Sequence, residues 1–199
     1  MTADSMDLER RQFLTGTATV LGGLGAGVAV IPFVSTFQPS ERAKALGAPV
    51  EANIDQIEPG QRVTYKWRGK PVWIIRRTEE QLTALERFRD ILADPDSVKS
   101  EQPDFAENSW RSLNREYLVL VGICTHLGCS PSFRPLVGDE VMGSDWVGGF
   151  YCPCHGSKFD LAGRVYSGVP APTNMDVPPY KFLTDSRILI GESAEGEGA

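Results

Sequence analysis

A chain of 199 residues with 41% hydrophobic and 23% charged side chains, 20 glycines and 14 prolines has the composition of one turn-rich globular domain with an appendage, and nothing in it favours disorder over most of its length. The net charge of −6 argues against nucleic acid as a partner, which would need a basic, aromatic-interleaved surface. All four cysteines and both histidines lie between residues 124 and 155, so soft-ligand chemistry is confined to one stretch.

Residues 1–11 are polar and end in Glu9-Arg10-Arg11, after which no charged residue occurs until Glu41. The apolar run 13–37 would span roughly 37 Å as a helix at about 1.5 Å per residue, against a hydrocarbon core of about 30 Å. Residues 12–38 are therefore expected to form a transmembrane anchor behind a tail of residues 1–11. Gly16, Gly22, Gly23, Gly25 and Gly27 dilute its hydrophobicity. Pro32 is expected to kink it, and Gly23 and Gly27 have the small-x-x-x-small spacing that allows close helix approach. Arg10-Arg11-Gln12-Phe13-Leu14 resembles the R-R-x-F-L core of twin-arginine export signals, which implies export of a folded, cofactor-loaded protein with its amino terminus left in the cytoplasm. The run ends in Val34-Ser35-Thr36-Phe37-Gln38-Pro39, without an A-x-A-like cleavage site, and this favours an uncleaved anchor over a cleaved signal peptide.

Residues 39–50 are bounded by prolines and lack strand alternation, so they read as a hinge linker. Ala43, Lys44, Ala45 and Leu46 are also good helix formers, and the same stretch could coil into a short helix. Residues 50–54, 62–67 and 71–76 are expected to be antiparallel strands, with turns at Glu58-Pro59-Gly60 and Arg68-Gly69-Lys70. Thr78-Glu79-Glu80-Gln81 has the form of a capping box, and Leu82, Leu85, Phe88, Ile91 and Leu92 recur at helical spacing, predicting a helix over 79–92. Aspartates and prolines over 94–104 mark a loop, and Leu118-Val119-Leu120-Val121 reads as a buried strand.

That strand delivers Cys124-Thr125-His126-Leu127-Gly128-Cys129, and the second box is Cys152-Pro153-Cys154-His155-Gly156-Ser157. Six soft ligands are too many for one tetrahedral ion. The surplus is explained if each box gives one cysteine and one histidine to metal and the other two cysteines join. Two thiolates with two imidazoles suit zinc or, divided between two irons, a [2Fe-2S] cluster. Structural zinc sites usually space their ligands as C-x(2-4)-C and H-x(3-5)-H, and neither box has that form. The intervening residues 130–151 are polar and glycine-containing and read as a surface loop. After the second box, 158–165 predicts a strand, a turn at Ala162-Gly163 and a return strand. Residues 180–183 and 187–190 predict closing strands, and 192–199 a disordered tail.

The two boxes together resemble the signature C-T-H-L-G-C with C-P-C-H-G-S of the Rieske iron-sulfur proteins at all twelve positions. The resemblance implies an all-β Rieske fold, an antiparallel sandwich with a small cluster-binding part and one inserted helix, covering residues 51–199 with the cluster part at about 122–172. It further implies that Cys124 and Cys152 bind one iron, that His126 and His155 bind the other, and that Cys129 and Cys154 form a disulfide. A disulfide requires an oxidising compartment, so the domain is expected in the periplasm, with the anchor in a bacterial inner membrane. Ser157 would hydrogen-bond a bridging sulfide, and Gly168-Val169-Pro170-Ala171-Pro172 resembles the proline segment that covers the cluster, with Val169 departing from the usual Gly-Pro-Ala-Pro. Leu127 would either dock the cluster face on cytochrome b or pack on the proline segment. High-potential members carry a tyrosine where this chain has Phe159, which predicts a comparatively low potential.

Among such proteins the chain looks like the Rieske subunit of a bacterial cytochrome bc complex. That family implies ubiquinol as donor, His126 and His155 as redox-linked proton carriers, and cytochrome b and cytochrome c1 as partners in a dimeric complex. Alternatives are the small subunit of an arsenite oxidase, against which the long loop between the boxes speaks, and a structural zinc protein. A Rieske oxygenase component is disfavoured, since those lack the extra cysteine pair and the anchor.

Overall fold

The computed structural model describes residues 3–100 and 102–193, with side chains from residue 7 onward. It contains two compact units, Met1–Ala45 and Leu46–Ala199. In the first, helix α1 (Ala3–Ser35) takes in the polar tail as well as the apolar run. Within it Asp7–Ser35, 29 residues of mean hydropathy 1.8, is long and apolar enough to cross a membrane. The hydroxyls of Thr15, Thr17 and Thr19 donate back to the carbonyls of Arg11, Phe13 and Thr15 at 2.7–2.9 Å, which satisfies polar groups inside an apolar helix. Pro32 sits inside the last turn, and the helix continues through it to Ser35. Much of the stretch read as a linker is helical. Helix α2 (Glu41–Gly47) starts behind Ser40, whose hydroxyl accepts the Ala43 N–H at 3.2 Å, and carries a Glu41–Lys44 ion pair.

Among the described residues the second unit holds three antiparallel three-stranded sheets and few helices, in keeping with the all-β expectation. Strands β1 (Val50–Asn53), β9 (Arg187–Ile190) and β8 (Tyr180–Thr184) form one sheet in that order, which joins the two ends of the unit. Strands β2 (Arg62–Trp67), β3 (Lys70–Arg76) and β4 (Tyr117–Val121) form the second. The sequence reason is plain in β3 and β4, where Val72, Trp73, Ile74, Ile75 and Leu118, Val119, Leu120 are all buried, as a strand covered on both faces requires. Tyr65 links the two sheets, its hydroxyl donating to Asn53 O and accepting from Asn53 N at 3.0 and 3.1 Å. In the third sheet, β5 (Ser132–Arg134), β6 (Gly149–Tyr151) and β7 (Lys158–Phe159), the second box links β6 to β7, while the first box lies between β4 and β5.

Three expectations are corrected here. Helix α3 spans Glu79–Arg87 with both hydrogen bonds of the Thr78/Gln81 capping box, but it does not reach 92; a 3-10 turn (Arg89–Ile91) follows. The chain leaving the second box competes for that backbone. Ala93 N donates to Val165 O at 2.9 Å, Ser167 N donates to Ile91 O at 2.8 Å, and Leu92 bridges Tyr166. The second correction concerns 130–151, which is a loop only in its middle. Its ends pair as β5 and β6, with Ser132 opposite Tyr151 and Phe133 opposite Phe150. Trp146 and Val147 turn inward, and the Trp146 indole N–H donates to Arg134 O at 2.9 Å. The expected return strand after Ala162-Gly163 is reduced to a bridge between Val165 and Phe159. Of the expected tail, residues 194–199 lie outside the described residues.

Glycine is required where these layers meet. A Cβ at Gly122 would lie 2.2 Å from the Trp73 ring, and one at Gly149 would lie 1.9 Å from the Phe159 carbonyl oxygen. Both positions bring backbone against the core beside a box.

Candidate metal centre

The two boxes fold into the same six-residue loop. In the first, Cys124 N donates to Cys129 O at 2.7 Å and Gly128 N donates to Cys124 O at 3.0 Å. In the second, Cys152 N donates to Ser157 O at 2.8 Å and Gly156 N donates to Cys152 O at 2.9 Å. The fifth residue of each must turn left-handed, and it is glycine both times, Gly128 at φ 82° and Gly156 at φ 77°. Strand β4 feeds the first loop, and the β6–β7 pair closes the second, so each rests on a sheet edge anchored in the core.

A disulfide joins Cys129 to Cys154, with Cα atoms 6.7 Å apart. The sulfurs of Cys129, Cys152 and Cys154 lie within 4.8 Å of one another, and with two of them oxidised Cys152 is the free thiol of that group. Cys124 and Cys152 are both free and buried. Burial pushes the Cys124 thiol up; a hydrogen bond from the His126 backbone opposes this, the nearby Cys152 thiol adds to it, and the Ser157 hydroxyl lowers it again. The imidazoles of His126 and His155 stand edge to face, with ring centroids 4.7 Å apart. His155 is exposed, whereas His126 is half-buried and its Nδ1 is enclosed without a hydrogen-bond partner.

These residues fit a [2Fe-2S] centre of Rieske type. Two buried free thiols and an imidazole nitrogen enclosed without a partner, brought together beside a disulfide, form a soft donor set that a metal would complete. Cys124, Cys152, His126 and His155 are the groups that could hold it.

Around the loops, Ser157 is fully buried and its Oγ accepts the Ala171 N–H at 3.0 Å, which ties the second loop to the proline segment. Thr125 ties the first loop to the same segment, its hydroxyl donating to Thr173 O at 2.7 Å. Pro170 is exposed above Ala171, and Val169 packs half-buried against the core. Leu127 is 71% exposed at the loop tip. Phe159 is wholly buried, in the core cluster that also contains Cys124 and Cys152.

Three buried arginines behind the second loop went unnoticed in the sequence. Arg77 donates to the carbonyls of Arg115, Trp110 and Leu161 and to Ser112 Oγ at 2.7–3.1 Å. Arg111 donates to Ala162 O at 3.1 Å, and Arg164 pairs with the equally buried Asp160 at 2.7 Å. All three grip the 160–164 turn that leaves the box. Burial lowers Arg77 to about 9 and Arg111 to about 10, so both keep their charge at neutral pH. The one legible signal was Asp160, whose Oδ1 accepts the N–H groups of Ala162 and Arg164 and fixes the turn.

Two family profiles match the chain. Residues 96–181 match the Rieske [2Fe-2S] domain, and residues 1–40 match the "Ubiquitinol-cytochrome C reductase Fe-S subunit TAT signal". Fold, site and profile together define the class as a Rieske iron-sulfur protein with a membrane-anchoring apolar helix. Among curated relatives, the ubiquinol-cytochrome c reductase iron-sulfur subunit of Allochromatium vinosum is 53% identical over 192 residues, covering 96% of this chain and 93% of that one. The subunits of the same name from Rhodospirillum rubrum and Bradyrhizobium diazoefficiens are 41% and 40% identical. They cover 92% and 96% of this chain, and 91% and 99% of their own. The chain belongs to the family of ubiquinol-cytochrome c reductase iron-sulfur subunits. The arsenite-oxidase and zinc alternatives draw no support from these relatives.

Proposed function

We propose that this chain takes electrons from ubiquinol at the quinol site of cytochrome b and passes them to cytochrome c1 within a dimeric cytochrome bc1 complex, with release of the quinol protons. The observation that carries this is the pair of matched loops, which holds two buried free thiols and two facing imidazoles around a disulfide. Cys124 and Cys152 would bind one iron, and His126 and His155 the other. When bound, a [2Fe-2S] centre with two imidazole ligands supplies a one-electron acceptor at a higher potential than an all-thiolate centre.

The chain's own groups do the rest. With Nδ1 of His126 directed at metal, its Nε2 is left to carry a proton, and the exposed His155 ring offers a second such nitrogen. A quinol hydroxyl hydrogen-bonded there would lose its proton to that nitrogen once the ring stands as imidazolate, which would leave a neutral imidazole, and the disulfide and proline segment would keep bulk water from the thiolate side. The exposed Leu127 beside these rings would supply an apolar contact for cytochrome b.

Residues 1–11 would lie in the cytoplasm, 12–38 would cross the inner membrane once, 39–50 would act as the hinge, and 51–199 would stand in the periplasm with the cluster part at about 122–172. The export motif and the disulfide's need for an oxidising compartment support this orientation. Electron paramagnetic resonance of dithionite-reduced protein co-purified with cytochrome b tests the function. A Rieske signal in that fraction is expected. Stoichiometric zinc without the signal, or recovery with a molybdenum-containing oxidase in place of cytochrome b, would overturn it.

A further inference from the structure

The segment over the ligand loops has little of its own to hold it. Residues 168–173 belong to no strand, and Pro170 and Pro172 have no N–H to donate. Two of its attachments run to the loops themselves, Ala171 N to Ser157 Oγ at 3.0 Å and Thr125 Oγ1 to Thr173 O at 2.7 Å. The third is a buried polar cluster on the far side, centred on Asn174.

Asn174 is 1% exposed and uses its amide completely. Its Nδ2 donates to Asp94 O at 3.0 Å and to Ser97 Oγ at 2.7 Å, its Oδ1 accepts the Val165 N–H at 2.8 Å, and its backbone N–H donates to Ser100 Oγ at 3.0 Å. The partners are fixed in turn. The Asp94 carboxylate accepts from Val98 N, Lys99 N and Ser100 Oγ at 2.8–3.1 Å, which folds residues 94–100 into a closed cup. Asp94, Ser97 and Ser100 are themselves buried. Such a network, satisfied at every member, holds one geometry more sharply than apolar packing does.

Whatever sets the position of Asn174 also sets that of Ala171, three residues earlier across Pro172 and Thr173. The Ala171 N–H occupies a lone pair of the Ser157 oxygen, which leaves the Ser157 proton for its other neighbour, the Cys124 sulfur. We propose that Asn174, held by the Asp94–Ser97–Ser100 cup, is a positioning residue. It fixes how deeply the proline segment seats on the ligand loops and thereby orients the Ser157 hydroxyl toward the metal centre. The proposal rests on the Rieske reading of the site. A hydroxyl aimed at the ligand sulfurs withdraws charge and favours the reduced centre, so a loosened seat lowers the potential.

The test uses the full chain in the purified complex with Asn174→Ala, which removes the side-chain hydrogen bonds, and Ser97→Ala, a milder cut should the first fail to assemble. Redox titration followed by electron paramagnetic resonance should give a lower midpoint potential for either variant. Combined with Ser157→Ala, the further shift should vanish, because both changes act through one hydroxyl. Hydrogen exchange should show faster labelling of residues 168–176, with β4 unchanged. A potential equal to wild type alongside reduced thermal stability would overturn the proposal and leave a merely structural role. So would a shift that adds in full to that of Ser157→Ala. Absence of a Rieske signal from the wild type would refute the site reading instead, and the exchange measurement would still report on the seat.

Discussion

Removing the disulfide gives the sharpest separation between holding the loops and holding the metal. In each loop the backbone hydrogen bonds close within that loop, so Cys129–Cys154 and the shared proline segment are what keep the two together. The bridge spans a sequence separation of 25, for which the chain-entropy model gives about 3.5 kcal/mol at 25 °C. Cys154 is exposed and Cys129 only half-buried, so lost apolar burial adds little to this. A single substitution does something further. Cys129→Ser frees the Cys154 thiol, and Cys154→Ser frees that of Cys129, in each case within 4.8 Å of Cys152. Either freed thiol can form the wrong disulfide with a group proposed to bind iron. The double variant Cys129→Ser, Cys154→Ser cannot. All three should assemble the cluster in reducing conditions and lose it faster than wild type on warming, followed by visible absorbance and circular dichroism. In air the single variants should bleach faster than the double, and dithiothreitol should erase that difference. Substitutions of the proposed ligands Cys124, His126, Cys152 or His155 should abolish the cluster outright. A double variant with wild-type cluster lifetime and melting temperature would refute the reasoning.

Phe159→Tyr places a hydroxyl in the buried core cluster that also holds Cys124 and Cys152, the proposed ligand cysteines, and should raise the midpoint potential. One hydrogen bond of about 1 kcal/mol corresponds to roughly 40 mV for a one-electron couple; an unchanged or lowered potential in voltammetry would mean that position 159 does not face the centre. Ala45→Pro breaks α2 at a cost of about 3 kcal/mol and should slow steady-state quinol oxidation while leaving the cluster spectrum intact; unaltered turnover would make the linker a plain tether. Asp160→Asn leaves the buried Arg164 without its paired carboxylate and should cost about 3–5 kcal/mol in denaturant unfolding; a cost below about 1 kcal/mol would show that backbone carbonyls suffice. Burial raises Tyr180 from its usual 10 to about 12, so its contribution is fully present below pH 10 and is lost as pH rises through 12. Tyr180→Phe should therefore flatten the alkaline loss of stability between pH 10 and 12 by about 2–3 kcal/mol, and identical pH profiles would contradict this.

What the sequence determined by itself was the chemistry and much of the local structure. The two boxes, the twin arginines, the apolar run, the capping box at Thr78 and the closing strands are each coded by contiguous residues, because ligand type, hydrophobic period and cap chemistry act over a few positions. The end of α3 could not be read that way, because Leu92 keeps the helical period while its backbone is claimed by residues 165–167. Nor could the middle of the chain. Ser132–Arg134 and Gly149–Tyr151 lie too far apart to announce a hairpin, and Trp146 is buried through an indole bond to a carbonyl twelve residues earlier. The supports of the site were hidden most completely. Arg77, Arg111, Arg164 and Asn174 look like solvated polar residues in the sequence, since charge and amide groups ordinarily stay in water. They are buried because the carbonyls of the 160–164 turn and the 94–100 cup converge on them, an arrangement that exists only once the sheets have packed.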